Sequence, residues 1–555
     1  MDARTPIWKW LGVALVAAVG CAPIAVQPAQ VDDPLFLGVA KQILQTPLSP
    51  FEGKPPWHDR DWFAENANPP LWPYLLATSA KLFGWNDAAF HGLQCVANFA
   101  LAFGVFMLAR RVCTRPLFWT TAVLWSPFLL PGRNLMADTL LLALWCWSFE
   151  FFLQDALDGK PGGALWAGIF ASAALLTKYT GGLLAPLFFV LGWKWNSPRR
   201  AAWLLPVIAF ALWCVHNQIV YGRLHFFANV GAGGMGYVDR LRVFTRIVGA
   251  MVVWAPVWML AAWAAGQGWR RFVLALALPA AALFAGLDLY DVIVRFQLAN
   301  VIANGSLIIQ FALFSASGIL LVAAFLTLPL RTWDGSTRDR TRVAQLVWLA
   351  LAATFNLLAT SAVAFGAVRH LLIVFTPLLL LGGDAFDRAS LGRPLLRILS
   401  WLTLALGAAL GGLLAHGDWL AAKAGVEAAD EIKTAVAESR DVWTFGDPAL
   451  RYYAEPLGVH WWRGDADEIR VGDVVVVLYS RGLAFRHHPM FNERLMLVRR
   501  ARLESWNPFR TQTGYASFYA ANVLTLPWMV EIGAGTKGPR GGWLFDDVYV
   551  YRRMK

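Results

Sequence analysis

Apolar runs of membrane-spanning length recur from Trp8 to Leu414, and the texture of the chain changes just after them. A bilayer core takes roughly 20 residues of helix to cross, so runs of about 18 apolar residues read as membrane helices. They predict helices near 8–28, 88–109, 116–131, 139–156, 163–179, 181–193, 201–220, 246–264, 272–287, 306–330, 343–366, 369–383 and 396–415, thirteen in all. Two of these, 181–193 and 369–383, are short for a crossing. From about Asp418 to Lys555 the chain is mixed, charged and aromatic instead. The pattern predicts an α-helical polytopic membrane domain over 1–417 and one soluble α/β domain over 418–555. The stretch Arg4 to Gly20 has the shape of a signal peptide, and "AVGC" is similar to a lipobox, but the many runs that follow favour an uncleaved first helix.

Between the first two runs lies a polar segment, 30–86, far longer than a connector needs. Within it Phe36, Val39, Ala40 and Ile43 repeat at helical spacing, which predicts a helix lying on the membrane surface. A second apolar piece, Leu71 to Phe83, follows "NPP". In the tail, "DVWTFG" and "DVVVVLYS" predict strands, and "DPALRYYAEPLG" between them predicts a helix with Asp447 as cap and Pro448 in its first turn. The tail carries no Gly-rich phosphate loop, nucleophile elbow or metal-ligand spacing, so it reads as a recognition or packing module.

Composition agrees: 57% of the 555 residues are hydrophobic and only 15% charged. The net charge of +12 sits largely in short loops, which is the positive-inside signature of a membrane protein and no sign of a nucleic-acid partner. With a cytoplasmic N-terminus, the inner loops carry Arg110, Arg111 and Arg115; Lys194, Arg199 and Arg200; Arg270 and Arg271; Arg331, Arg338, Arg340 and Arg342; and Arg388, Arg393 and Arg397. Arg223, Arg240 and Arg242 fall on the outer side and break the rule. An odd number of crossings then sends the tail, together with Asp32 and Asp33, to the extracytoplasmic face of an inner (plasma) membrane. The five cysteines all lie in the membrane half and form no disulfide or metal pattern.

The paired acids of "VDDPLFLGVAKQIL" are the first candidates for chemistry. Asp33 before Pro34 is a natural helix cap, so its role is either cap or catalyst. Capping does not account for Asp32, one residue earlier. A carboxylate beside hydrocarbon is costly unless paired or used, and its raised pKa would suit a general base. Two adjacent acids can also hold a divalent cation, although nothing in the sequence requires one.

"DDPLFLGVAKQIL", "NPPLWPYLLATSAKLFG", "LARR", "MADTLLLALW", "LLTKYTGGLL" and "VRHLLIVFTPLLLL" occur in an order and spacing that resemble the family-39 type glycosyltransferases. These are multi-spanning GT-C enzymes that include protein O-mannosyltransferases and the aminoarabinose transferase of lipid A. The resemblance covers most of the membrane half. It implies transfer of a sugar, with inversion, from a polyprenyl-phosphate donor to an envelope acceptor (lipid, glycan or protein) at the outer membrane face. It places the catalytic carboxylate at Asp32, with Asp33 in the position of the family's usual Glu. Asp138 matches an acidic position of the family, but it also reads as the cap of its span.

The leaving phosphate needs a cation. The aminoarabinose branch has Lys before its Pro-Pro pair, where this chain has Asn68, while "KPP" occurs earlier at Lys54. Lys178 either binds phosphate or snorkels at the end of its span. Arg369, with His370 beside it, opens a span near the outer face, and a buried Arg there usually has an anionic partner. His58 and Arg60 of the first loop, with Asn68, are the candidates for the acceptor side, although a solvated charge cluster accounts for the first two equally well. A competing reading is a non-enzymatic transporter or scaffold for lipid or glycan, with an extracytoplasmic sensor domain. Transporters usually show internal repeats and polar groups at mid-membrane, whereas the acids here gather at one face.

Overall fold

The computed structural model of the chain describes residues 6–57, 60–130, 133–195, 201–228, 236–252, 268–296, 305–326, 335–358, 366–438, 441–444, 448–462, 467–478, 494–512, 519, 526–530 and 543–554. Most of them are helical. The helices are α1 (Ile7–Ala25), α2 (Asp33–Gln45), α3 (Trp62–Glu65), α4 (Leu71–Phe83), α5 (Asp87–Val112), α6 (Pro116–Leu124), α7 (Asp138–Ala156), α8 (Gly163–Thr177), α9 (Leu184–Lys194), α10 (Ala201–Tyr221), α11 (Tyr237–Val252), α12 (Gly268–Phe296), α13 (Gly305–Leu326), α14 (Thr337–Leu358), α15 (Leu372–Ala389), α16 (Pro394–Glu438) and α17 (Pro448–Ala454). Among the described residues six helices are long and apolar enough to cross a membrane: Ile7–Ala25, Asp87–Val112, Ala201–Tyr221, Thr337–Leu358, Val368–Arg388 and Pro394–Glu438. The chain is a multi-pass membrane protein, and parts of the predicted helices 246–264, 306–330 and 343–366 lie outside the described residues.

One predicted helix is broken. The apolar run 116–131 forms α6, which stops after nine residues at Leu124. Pro127 has no amide hydrogen for the ladder and crowds the residue before it, so the helix cannot pass this point. The chain continues as turns held by Ser126, whose carbonyl accepts from the amides of Leu129 and Leu130 at 3.0 Å each. Irregular backbone survives among membrane helices only where protein covers it, and residues 126–130 and 133–139 are all buried. Arg133 completes the repair: its guanidinium donates to the Leu124 carbonyl at the end of α6 and to the Gly20 carbonyl in α1. A side chain at position 20 would collide with that guanidinium, so α1 needs glycine there.

The two ends of the bundle carry different charge networks. At one end Arg111 pairs with Glu150 at 2.6 Å and Asp158 at 2.8 Å, and Arg115 pairs with Asp387 at 2.7 Å. Arg338 and Arg342 meet Asp384 at 2.9 and 2.8 Å, so basic loops assigned to one side by the charge rule do lie together. The exceptions to that rule have structural partners. Arg223 pairs with Asp61 and lies over the Phe63 ring, and Arg242 is buried against Asp288 at 2.5 Å. Arg240 lies 5.2 Å from the centre of the Tyr237 ring. Arginines held this way cover acids and aromatic rings, and they carry little information about sidedness.

The first loop folds back on the bundle at the other end. Helix α2 begins and ends close to where its apolar spacing predicts, but protein covers it: Phe36, Leu37, Val39, Ala40 and Ile43 are all buried. It packs beside α4 and the tail helix α17, and Lys41 pairs with Glu455 at 2.9 Å. The expected membrane-surface helix is therefore a protein-covered one.

The tail is an α/β unit. Strands β1 (Val442–Thr444), β2 (His460–Trp461), β3 (Val474–Leu478), β4 (Leu495–Ser505), β5 (Phe509–Arg510), β6 (Met529–Val530) and β7 (Trp543–Arg553) form a five-stranded sheet, order β2-β1-β3-β7-β4, and a β5–β6 pair. β1 is parallel to β2 and β3; β7 is antiparallel to β3 and β4. Both predicted strands and the intervening helix are present, while Asp447 lies outside the described residues. No break occurs at the expected boundary of 417/418. The 45-residue α16 runs through it and supplies Ala424, Ala428, Ala429, Ile432 and Ala435 to the tail core, against Val474, Val476, Leu478, Val548 and Val550 of the sheet.

Candidate active site

The turn between α1 and α2 separates the two adjacent acids. Val31 has φ +51°, the left-handed region that a β-branched residue rarely adopts. The Asp33 amide donates to the Gln30 carbonyl at 2.9 Å, and the Gln30 amide donates to Asp33 Oδ2 at 2.9 Å. Asp33 is thereby fully buried and forms the first residue of α2, while Asp32 occupies the cap position without a side-chain cap bond. The cap expected at Asp33 is not formed; its carboxyl closes the turn behind it. Burial, followed by the charges of Asp32 and Asp418, pushes the Asp33 carboxyl well above the usual carboxylate range.

Asp32 faces a different environment. Its side chain keeps 34% of its exposure, and its Oδ2 lies 2.9 Å from Arg369 Nη1. Arg369 sits in the 3₁₀ turn Val368–Leu371 that opens α15, and it also reaches Met136 Sδ at 2.8 Å. Lys178, extended at the end of α8, donates to Asp138 Oδ1 at 2.7 Å. Asp138 is the first residue of α7 and caps nothing, so the capping alternative is overturned, and Lys178 is paired rather than snorkelling. His370 lies within the field of Lys178 and Arg369. Two carboxylates and two cations from four chain segments thus form a group with no net charge. Each cation forms its ion pair with a carboxylate, for which a phosphate can compete.

The remaining sequence candidates stand apart in character. Lys54 and Arg60 are solvent-exposed, and His58 lies outside the described residues. The Asn68 amide donates to Asn66 Oδ1 at 3.0 Å, a local turn contact. Among the described residues no cluster of three or more His, Cys, Asp or Glu is placed to hold a metal ion. Asp32 and Asp33 engage different partners and do not converge on one point.

Beside the group, the first loop is seated on an aromatic wall. Phe51 stacks on His225 with centroids 4.6 Å apart, Tyr179 OH lies 2.7 Å from His225 Nδ1, and Trp213 Nε1 donates to Tyr179 OH at 3.0 Å. Burial pulls the His225 imidazole down to about 4, so it is neutral near pH 7 and serves packing.

Sequence reasoning missed Asp418. Its carboxylate is fully buried in α16 and accepts five hydrogen bonds: from Gln27, Gln30 and Tyr519 on Oδ2 at 2.7, 2.6 and 2.7 Å, and from Thr511 and Gln512 on Oδ1 at 2.9 Å each. The signal available was an acid at the margin of an apolar run, in "LLAHGDWL". Nothing local to Thr511, Gln512 or Tyr519 marks them.

Residues 67–221 match the family model described as dolichyl-phosphate-mannose-protein mannosyltransferase. That stretch runs from α4 to α10 and contains Asp138 and Lys178. Among curated proteins no sequence matches the chain. Among solved structures, ArnT from Cupriavidus metallidurans bound to undecaprenyl phosphate is similar at TM-score 0.39 and 16% identity, over 89% of this chain and 96% of that one. Its apo state is similar at TM-score 0.39 and 16% identity, over 87% and 94%. At such scores the likeness carries no argument. Over the segment that supplies Asp138 and Lys178 the chain is similar to the dolichyl-phosphate-mannose-protein mannosyltransferase family, and the family-39 resemblance of the sequence is borne out there.

Proposed function

We propose that this protein is a membrane glycosyltransferase that moves a sugar from a polyprenyl-phosphate carrier to an envelope acceptor (a lipid, glycan or protein). The observation that carries this reading is the neutral group of Asp32, Arg369, Asp138 and Lys178 at one end of the membrane helices. The donor phosphodiester carries one negative charge, like each carboxylate, but it presents two free oxygens and gains a second charge as the sugar leaves. It therefore competes for both cations and holds them most strongly as transfer proceeds. Arg369 can grip two phosphate oxygens with its planar fork, and Lys178 adds a point charge. Losing Arg369 to the phosphate frees Asp32.

The reaction then balances as a single displacement. An acceptor hydroxyl attacks the anomeric carbon, its proton passes to Asp32, and the bond from that carbon to the carrier phosphate oxygen breaks. The electron pair leaves with the phosphate, whose growing charge Arg369 and Lys178 stabilise. Attack opposite the leaving group inverts the anomeric centre. Asp33, buried and closed onto Gln30, supports the turn rather than reacting. The tail and the acids share one end of the bundle, opposite the Arg111–Arg115–Arg338–Arg342 end. The positive-inside rule makes that shared end extracytoplasmic in an inner membrane. We assign 1–417 to the membrane domain and 418–555 to the tail, joined by α16.

The test uses the purified protein in lipid nanodiscs with polyprenyl-phosphate sugars and an envelope extract. Sugar should appear on an acceptor with wild type and not with Asp32→Asn. Movement of the intact carrier lipid with no sugar released, in wild type and variant alike, would instead establish the transporter reading.

A further inference from the structure

Asp418 is a buried carboxylate with no cation among its five hydrogen-bond partners, and each of those partners is neutral. Such a group is expensive to bury unless every lone pair is used. Here the bonds join three parts of the chain. Gln27 and Gln30 belong to the α1–α2 turn, Asp418 itself to α16, and Thr511, Gln512 and Tyr519 to the tail. Gln512 Nε2 also donates to Gln30 Oε1 at 2.9 Å, so the tail touches the turn directly as well.

Gln30 is the pivot. Its side chain is fixed by Asp418 and Gln512, and its backbone makes both hydrogen bonds that close the turn onto Asp33. The next residue, Val31, holds an unfavourable left-handed conformation. A strained residue of that kind persists only where its surroundings over-determine it. Those surroundings include the bonds on Gln30: its backbone closes onto Asp33, and its side chain reaches Asp418 directly and through Gln512, which donates to Asp418 as well. Asp32 follows directly, so its place opposite Arg369 depends on this anchor.

We propose that Asp418 is a positioning residue for Asp32, clamping the α1–α2 turn to the tail, so that the tail is part of the active site's framework. This rests on the reading of Asp32 as the reacting carboxylate. Arg369 and Lys178 are not bonded to Asp418, so the clamp acts on turnover and leaves the grip on lipid phosphate intact. A carboxylate accepts from all five donors, whereas an amide at 418 would keep one acceptor oxygen and turn its NH2 toward the two or three donors on the other side.

The test compares wild type, Asp32→Asn, Asp418→Asn, Gln512→Ala and the double variant Asp32→Asn/Asp418→Asn in nanodiscs. Polyprenyl phosphate binding and single-turnover sugar transfer are measured separately. A displacement of the base by about 1 Å costs roughly 100-fold, so Asp418→Asn should lose about that factor in turnover, Gln512→Ala about tenfold, and both should bind polyprenyl phosphate as wild type does. The double variant should be no slower than Asp32→Asn alone, because a lost base has no position to lose. Wild-type turnover in Asp418→Asn, or loss of phosphate binding in step with turnover, overturns the clamp. If Asp418→Asn does not fold, Gln512→Ala decides by the same two readings. Full transfer by Asp32→Asn would instead remove the underlying assignment, an outcome distinct from failure of the clamp.

Discussion

Arg369 Nη1 stands 2.9 Å from Asp32 Oδ2, so the proposed base of this site is the counter-ion of the proposed phosphate clamp. One residue cannot do both at once, and the lipid phosphate decides which. Asp32→Asn should lower sugar transfer by roughly two to four decades, the usual contribution of a general base. Phosphate binding should hold or tighten, because Arg369 loses its competitor. Equilibrium binding and single-turnover assays separate the two effects.

Arg369→Ala should cost about two decades in turnover, about 3 kcal/mol at the transition state, and Arg369→Lys should recover part of it. The lysine restores charge without the two-pronged grip. Equal rates for Arg, Lys and Ala at this position would show that no phosphate leaves there.

The second pair has its own sign. Asp138 neutralises Lys178 at 2.7 Å. Asp138→Asn should therefore raise the affinity for polyprenyl phosphate, while Lys178→Ala should lower it. Lys54→Ala, by contrast, should leave binding and turnover unchanged, since Lys54 stands exposed to solvent. Isothermal titration with the lipid phosphate alone reads the three affinities, and single-turnover transfer reads the rate of Lys54→Ala.

Asp33 should shape stability against pH. Its carboxyl titrates well above the usual range in the folded protein, whereas in an unfolded chain it returns to about 3.9. Between those two values the folded state holds the extra proton, so stability falls as pH rises through that window. Asp33→Asn stays neutral and can still accept from the Gln30 amide, so its apparent unfolding midpoint should decline less from pH 4 upward. Parallel profiles for wild type and variant would mean that the buried carboxyl does not titrate as described.

A reporter fused after Lys555 should be active only if it functions outside the cytoplasm, because the tail shares the end of the bundle opposite the basic loops. An active cytoplasmic reporter there would invert the proposed orientation.

The membrane half was legible in the sequence because its signal is local: among the described residues most apolar runs are helical, and α2 and α4 lie where their spacing places them. Asp32, Asp138, Lys178 and Arg369 were also legible, each as a charge at the end of an apolar run. Their pairing was not, since it joins positions as far apart as 32 and 369. The failure at 116–131 has a local cause, Pro127, that hydrophobicity alone overrode. The covered face of α2 depends in part on a tail helix hundreds of residues later. The donors on Asp418 come from a turn nearly four hundred residues earlier and a tail about a hundred residues later, so no window of sequence contains them.

The uninterrupted run of α16 from Pro394 to Glu438 has a consequence for the surrounding lipid. At the α-helical rise it is a rod about 68 Å long, of which a bilayer core covers about 30 Å. A helix answers hydrophobic mismatch by tilting, and the tilt is felt along its whole length. The same rod ends as the floor of the tail sheet and carries Asp418 between the two. If Asp418 clamps the turn as proposed, sugar transfer should vary with the acyl-chain length of the nanodisc lipids, with α16 acting as the lever.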